Sequence, residues 1–281
     1  MPARTARQAR PRFPPLDLRR AQKRDDLPGE LETKARPSDD APRPRGLPSK
    51  GSSSTRPASH ERPAAQPLGH EAVVALAGDR GLVCSGTLIA PKVVLTARHC
   101  LPVREIRFGV DPRAPFAVSK VKASRTPPLA VLDLALLELV TPSKVTPMHL
   151  RATTDATPPT DVVRLVGFGS TDPEGERGMT LRHVVDVQSR GWSCGAVDEN
   201  RVGCVSGLEM VIPRQGGNDT GGGDSGAPVL ESFEGGLRDM SVTSRQVRGS
   251  LIACGDGGVY TRVDAAGVWI QQMIREMGKT P

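Results

Sequence analysis

The sequence is short of aromatic residues and of long apolar runs. It contains 5 Phe, 2 Trp and 1 Tyr among 281 residues. No stretch of 18 consecutive apolar residues occurs, so we expect neither a transmembrane helix nor a membrane partner. The first thirty residues are rich in Arg and Pro and lack the apolar core of a signal peptide, so no signal peptide is visible.

The net charge of +7 lies entirely in the N-terminal segment. Residues 1–68 hold 15 Lys and Arg against 8 Asp and Glu, whereas residues 69–281 hold 23 of each. The segment also contains 12 Pro and few large apolar residues, so it cannot bury enough surface to offset the entropy cost of ordering. We interpret it as a disordered tail or a removable pro-segment. Because its basic residues are not interleaved with aromatics, we expect no nucleic-acid partner.

The rest of the chain has the pattern of an all-β protein. The sequence contains 30 Gly and 26 Pro, which favours many turns. Short runs rich in Val and Thr lie between turn residues and predict strands. These runs are Ala72–Leu76, Ser85–Ile89, Val93–Thr96, Leu132–Val140, Val162–Val166, His183–Gln188, Val229–Leu230, Leu251–Ile252 and Val259–Val263. Only Ala265–Met277 has helical spacing, so the pattern indicates a sandwich or barrel closed by one helix.

Three short segments carry residues suited to nucleophilic catalysis. The consecutive glycines before Ser225 allow a turn that presents the serine hydroxyl while nearby amide N–H groups point the same way. His99 lies beside Cys100 at the end of a predicted strand. Asp133 is a single carboxylate in an apolar run, where an unpaired charge is costly, so we expect a histidine partner. Taken singly, the first segment could be an ordinary loop, and His99 could be structural or a metal ligand.

Taken together, in the order His, Asp, Ser, the segments resemble the trypsin-like serine peptidase family. The resemblance extends from about His70 to the C-terminus. Its motifs are Cys84–Ile89, Leu95–Cys100, Asp133–Leu137, Gly167–Gly169, Gly223–Pro228, Gly258–Val263 and Trp269–Ile270. It implies an all-β fold of two six-stranded antiparallel β-barrels with a C-terminal α-helix. The first barrel would span about 69–157 and the second about 158–281.

The resemblance also assigns catalytic roles. His99 would be the general base and then the general acid, Asp133 would orient it, and Ser225 would form an acyl-enzyme. The backbone N–H groups of Gly223 and Ser225 would form the oxyanion hole. No cofactor is implied. No metal is expected either, because the other candidate ligands lack partners at ligand spacing; these are His70, His149 and His183.

The primary specificity pocket would be built around Asp219. This residue lies six positions before Ser225, where the family places the pocket floor, and a carboxylate there favours Lys or Arg before the scissile bond. Gly258 would leave the pocket open to a long side chain. The alternative is that Asp219 lies in an exposed turn. Ser250 is a candidate for a further residue that hydrogen-bonds the triad aspartate.

Four of the five cysteines match two disulfide bridges of the family. The implied pairs are Cys84 with Cys100 and Cys194 with Cys204. A further bridge usual in the family would need a cysteine where this chain has Gly221, which leaves Cys254 unpaired. Two bridges favour a secreted or periplasmic protein, although no signal peptide is visible. Free thiols in a reducing cytosol are the alternative.

Activation is the point at which the chain departs from the family pattern. In the family, a new apolar N-terminus folds inward, and its ammonium pairs with the aspartate before the nucleophile, here Asp224. No apolar-apolar-Gly-Gly start occurs upstream of His70. An uncompensated Asp224 would leave the oxyanion loop misformed.

From the sequence as a whole we expect a monomeric serine endopeptidase that acts on proteins or peptides. A catalytically weak, protein-binding homologue is the alternative.

Overall fold

A computed structural model of the chain describes residues 70–278 except 156, 173–177, 190, 192–193, 215–218, 235 and 253. The segment interpreted as a tail or pro-segment, residues 1–68, lies outside the described residues. Neither helix in the described part of the chain has the length and hydropathy that a bilayer span requires.

The first sheet is a closed antiparallel barrel of six strands. They are β1 (Val73–Gly78), β2 (Gly81–Ala90), β3 (Val93–Thr96), β4 (Glu105–Phe108), β5 (Ala117–Arg125) and β6 (Ala135–Leu139). The strand order is β1-β2-β3-β6-β5-β4, and β4 pairs with β1 to close the barrel. Every residue of β3 and β6 is buried, because one face of each strand fills the barrel and the other is covered by neighbouring parts of the protein.

The second sheet is barrel-like, and both helices lie in the same half of the chain as its strands. Its antiparallel strands are β8 (Val162–Gly167), β9 (His183–Gln188), β10 (Glu209–Pro213), β11 (Pro228–Phe233), β12 (Gly236–Gln246) and β13 (Gly257–Arg262), in the order β10-β13-β12-β11-β8-β9. The two-residue strand β7 (His149–Leu150) adds to β12 in parallel. Helix α1 spans Ala196–Val202 and helix α2 spans Gly267–Gly278. The predicted fold of two six-stranded barrels and a C-terminal helix is confirmed.

One apolar cluster runs through both sheets and fixes them against each other. It joins β2 and β6 of the first barrel to Phe168, which follows β8, and to Ile270 of α2. A smaller cluster fills the second sheet around Tyr260, the single tyrosine of the chain, which is fully buried. Because the sheets share a core, side chains presented at their seam keep fixed relative positions.

The sequence pattern missed several elements and misplaced one. It did not predict β4, β5, β7, β10, β12 or α1. Strand β12 carries the buried polar residues Asp239, Ser241 and Thr243, which interrupt the apolar run that marks a strand. The strand predicted at Leu251–Ile252 was wrong: both residues lie outside any strand, and Leu251 is 92% exposed.

Two disulfides close short loops in the described chain. Cys84 is bonded to Cys100 over 16 residues, and Cys194 to Cys204 over 10 residues. They are the pairs that the resemblance implied. Cys254 is free and buried.

We expect the double substitution Cys194→Ala and Cys204→Ala to lower the free energy of unfolding by about 3 kcal/mol. Opening a loop of this size increases the conformational entropy of the unfolded chain, and in the chain-entropy model this lowers the free energy of unfolding by that amount. Urea denaturation at pH 7 measures the change. Cys254→Ala is the matched control, because it removes a buried sulfur without opening a loop. Equal unfolding free energies for the double variant and the control would contradict the prediction.

Candidate active site

His99 and Asp133 are joined by a two-point contact. Strand β3 ends at Thr96, and a short 3-10 turn over Arg98–Cys100 then presents the imidazole. His99 Nδ1 lies 2.7 Å from Asp133 Oδ2, and the backbone N–H of His99 donates to Asp133 Oδ1 at 3.1 Å. The contact fixes both the position and the plane of the ring.

A serine that the sequence did not single out completes the environment of Asp133. Ser244 Oγ donates to Asp133 Oδ2 at 2.7 Å. The expectation that Ser250 fills this role was wrong, since its hydroxyl donates to the Ile252 carbonyl at 3.0 Å. Strand β12 continues to Gln246, so it carries Ser244 to the site, whereas Ser250 lies beyond the strand.

The hydrogen bonds keep Asp133 ionised. Burial raises the pKa of Asp133, but the hydrogen bonds from His99 and Ser244 lower it by more, and the net shift is downward. An ionised Asp133 accepts a hydrogen bond from His99 Nδ1 when that nitrogen carries the proton. The neutral ring then has Nε2 free as a proton acceptor. The His99 side chain is 45% exposed, so this face is open to a reactant.

The loop that carries Ser225 is pressed against the strand ends beside His99. The Ser85 N–H donates to the Ser225 carbonyl at 2.9 Å, and the bridged Cys100 Sγ lies 3.6 Å from the same oxygen. Gly226 has φ +82°, and a Cβ there would lie 2.0 Å from Thr96 Oγ1. Only glycine permits this approach, which brings the backbone of Ser225 alongside the turn of His99.

Ser85 connects the loop that carries Ser225 to the second sheet. Its hydroxyl donates to the Gly223 carbonyl at 3.0 Å and accepts the Phe168 N–H at 3.2 Å. Gly223 has φ +101°, and a Cβ there would lie 2.6 Å from Met179 Cγ. The backbone at Gly223 is therefore held from both sides in a conformation that favours glycine.

Asp224 anchors this loop from within the second sheet. It is 1% exposed, and its carboxylate accepts the N–H groups of Gly169 and Gly221 at 2.8 and 2.9 Å. A Cβ at Gly167 would lie 2.0 Å from the carboxylate, and one at Gly169 would lie 2.4 Å from it. The Gly-aromatic-Gly segment thus leaves room for a buried carboxylate. His183 Nε2 lies 3.5 Å from the same group.

Asp219 is buried beneath the same loop, not exposed in a turn. It is 7% exposed and accepts the Tyr260 hydroxyl at 2.8 Å and the N–H groups of Thr220 and Gly257 at 2.6 and 2.8 Å. Burial raises the pKa of Asp219, these hydrogen bonds lower it, and the net shift is upward. Gly258 is the residue after Gly257, and a Cβ at Gly258 would lie 2.5 Å from the Tyr260 hydroxyl.

Gly221 faces the free cysteine, as the resemblance implied. A Cβ at Gly221 would lie 3.5 Å from Cys254 Sγ but 2.5 Å from the Ser170 carbonyl. A cysteine at position 221 would therefore require the backbone to shift. Burial raises the pKa of the Cys254 thiol, and the charges of nearby aspartates raise it further.

A compact group of ligand-type residues at the site is not a metal centre. Atoms of Cys84, His99 and Cys100 lie within 4.8 Å of one another. Both sulfurs belong to one disulfide, so neither is available as the thiolate that zinc binds.

Comparisons with known proteins place this geometry in context. A family model described as Trypsin matches residues 61–270. Venom plasminogen activator Haly-PA of Gloydius brevicauda is 29% identical over 225 residues, which is 73% of this chain and 83% of the relative. Glucanase inhibitor protein 3 of Phytophthora infestans is 29% identical over 213 residues, 68% of this chain and 78% of the relative. Thrombin-like enzyme acutin of Deinagkistrodon acutus is 27% identical over 237 residues, 73% of this chain and 91% of the relative.

A solved structure supports the fold. Neuropsin, a serine protease expressed in the limbic system of mouse brain, superposes with a TM-score of 0.62 at 22% identity. The match covers 73% of this chain and 95% of neuropsin.

We expect Ser244→Ala to destabilise the protein by about 1.5 to 3 kcal/mol at pH 7, because a hydrogen bond to a charged group contributes that much. The folded-state pKa of Asp133 is depressed, so this stabilisation is present at neutral pH and is lost as pH falls through the folded-state pKa. The difference from the parent chain should therefore shrink in acid. Urea denaturation at pH 7 and at pH 3 measures it.

Ser250→Ala is the control for this prediction, since its hydroxyl does not contact Asp133. A loss for Ser244→Ala that is the same at both pH values, or equal to that of Ser250→Ala, would contradict the assignment.

Proposed function

The chain belongs to the trypsin family, and we propose that within it the protein is an active serine endopeptidase with His99, Asp133 and Ser225 as its catalytic triad. One observation carries the proposal. The 2.7 Å contact from His99 Nδ1 to Asp133 Oδ2 leaves Nε2 free, on the turn against which the Ser225 loop is packed.

The proposed reaction begins when His99 Nε2 takes the proton of the Ser225 hydroxyl. The Ser225 oxygen attacks the carbonyl carbon of the scissile peptide bond, and the carbonyl oxygen becomes an anion. The N–H groups of Gly223 and Ser225 would stabilise that anion; loss of one such donor costs about 100- to 1000-fold in rate. His99 then gives its proton to the leaving amine. In the second half of the reaction, water attacks the acyl carbon with His99 as the base, and Ser225 leaves and regains its proton from His99.

We further propose cleavage after Lys or Arg. Within the described part of the chain, the hydrogen-bond donors to Asp219 are neutral groups, namely a phenol, a hydroxyl and two backbone N–H groups. A buried carboxylate without a cation is costly, so the ammonium or guanidinium of a substrate would gain by pairing with it. A Cβ at Gly258 would lie 2.5 Å from the Tyr260 hydroxyl, so the glycine leaves room for the tyrosine that holds Asp219, and the expected opening of the pocket at Gly258 is not seen.

A fluorophosphonate probe tests the triad directly. We expect the purified chain to become covalently labelled and Ser225→Ala to remain unlabelled, because the probe bonds to an activated serine oxygen. Ser232→Ala, on the exposed end of β11, is the matched serine control and should label like the parent. Labelling that survives in Ser225→Ala would contradict the assignment.

Substitution of the pocket carboxylate tests the specificity. We expect Asp219→Ser to lower kcat/KM for substrates with Lys or Arg before the scissile bond by about 100-fold or more, because removing one partner of a buried charge pair costs about 2 to 5 kcal/mol. Profiling on a peptide library measures the change. Asp79→Ser, in an exposed turn, is the control. An unchanged preference in Asp219→Ser would contradict the proposal.

A protein-binding homologue without catalysis is the second candidate. It is favoured by the relative named as a glucanase inhibitor protein, which is as similar to this chain as the venom plasminogen activator. The fluorophosphonate experiment separates the two, since a binding module would not label. For either function we propose an extracellular or periplasmic location, because the two disulfides persist in oxidising compartments.

A further inference from the structure

The Asp224 carboxylate needs a cation that its backbone partners do not supply. It is almost fully buried, and the N–H groups of Gly169 and Gly221 are neutral donors. A buried carboxylate with hydrogen bonds but no opposite charge still bears a large desolvation cost. In the family this chain resembles, the ammonium of a new N-terminus provides that charge.

His183 occupies the place from which a cation can reach Asp224. It begins strand β9 and pairs with Gly167 of β8 in the ladder. Because Gly167 has no side chain, the carboxylate and the imidazole meet over it, with His183 Nε2 3.5 Å from Asp224 Oδ2. His183 Nδ1 lies 3.4 Å from the Leu181 carbonyl. Both ring nitrogens therefore face acceptors, which suits the doubly protonated imidazolium.

We propose that His183 is a positioning residue whose imidazolium replaces the N-terminal ammonium, pairs with Asp224 and holds the loop Gly221–Ser225 in its catalytic form. The inference rests on the proposed peptidase function. It differs from the family's zymogen scheme, because the cation comes from a strand already in place. The uncleaved chain should therefore be active.

The charge state of His183 gives activity an alkaline limit. Burial lowers the pKa of His183, but the hydrogen bond and the charge of Asp224 raise it by more, and the net shift is upward. The ion pair with Asp224 requires protonated His183. It is therefore formed below the raised pKa of His183 and is lost as the pH rises through that pKa. The pH profile should therefore have an alkaline limb that belongs to His183.

Five other titratable groups lie on the elements around His183, and four of them have hydrogen-bonding or charged partners of their own. These groups are Asp219 just before the loop Gly221–Ser225, Arg164 on β8, Asp186 on β9, Arg182 before β9 and His70 before β1. Arg164 pairs with Asp186 at 2.7 Å. Arg182 donates to the backbone carbonyl of His70 at 2.8 Å, and Asp219 has the donors described above. The imidazole Nε2 of His70 is buried and has no hydrogen-bond partner among the described residues. Asp224 is thus the carboxylate that His183 contacts in the described structure.

The first experiment does not depend on catalysis. The imidazole nitrogens of the full chain, labelled with ¹⁵N at histidine, are followed by NMR over pH, and His183→Gln assigns the signal. We expect His183 to titrate above the ordinary histidine range and to shift down in Asp224→Asn. A signal that titrates at or below the ordinary range in the parent chain overturns the proposal, even if Asp224→Asn does not fold.

The second experiment measures kcat/KM over pH with a short peptide substrate. We expect His183→Gln to lose about 100-fold at neutral pH, the scale of losing an oxyanion donor. His183→Lys should recover much of that activity and move the alkaline limb to higher pH, which a purely structural role would not do. His149→Gln, an exposed histidine of β7, is the control and should match the parent. A His183→Gln profile that coincides with the parent overturns the proposal.

The two arms separate failure of the inference from failure of the proposed function. A parent chain that does not label with fluorophosphonate fails as a peptidase, and the NMR titration still decides whether His183 and Asp224 form a charge pair. Labelling of the chain with Met1 intact is the expected result. Labelling only after removal of the N-terminal segment would overturn the inference.

Discussion

The buried Asp224 carboxylate is the contact on which the conformation of the Ser225 loop depends. Two backbone N–H groups and one imidazole surround it, and two glycines of the neighbouring sheet leave the space it fills. Because the carboxylate cannot move without losing those contacts, the residues on either side of it are fixed as well. The Asp224 carboxylate thus determines the backbone conformation of Gly223 and Ser225, although it takes no part in the proposed reaction.

A second constraint sets the loop against the first barrel. Ser85 bonds to the loop through its N–H and its hydroxyl, and Gly226 lies so close to Thr96 that no side chain fits between them. On the opposite side, the Gly226 N–H donates to the Thr243 carbonyl, one residue before the serine that holds Asp133. The loop that carries Ser225 is therefore held between the strand end that presents His99 and strand β12. Chemistry at this seam depends on both sheets and on the core they share.

The residues that we propose to react could be found in the sequence because each lies in a short, distinctive segment. The glycines around Ser225, the carboxylate in an apolar run and the histidine beside a cysteine are local signals. Ser244 could not be found in this way, because it lies on a strand whose buried polar residues conceal it. His183 could not be found either, because its partner is 41 positions away and the two meet only where Gly167 lacks a side chain. Helix α1 has no buried residue, so it gave no apolar pattern.

We propose that the Ser225 hydroxyl attacks a carbonyl carbon while the loop N–H groups stabilise the oxygen of the same carbonyl. A crystal structure of the full chain with a peptide boronate that carries Arg at its terminal position tests this most directly. We expect a covalent bond from Ser225 Oγ to boron, with a boronate oxygen about 2.7 to 3.1 Å from the nitrogens of Gly223 and Ser225. We also expect the Arg side chain against Asp219. An inhibitor bound elsewhere, or a Ser225 hydroxyl turned away from His99, would contradict it.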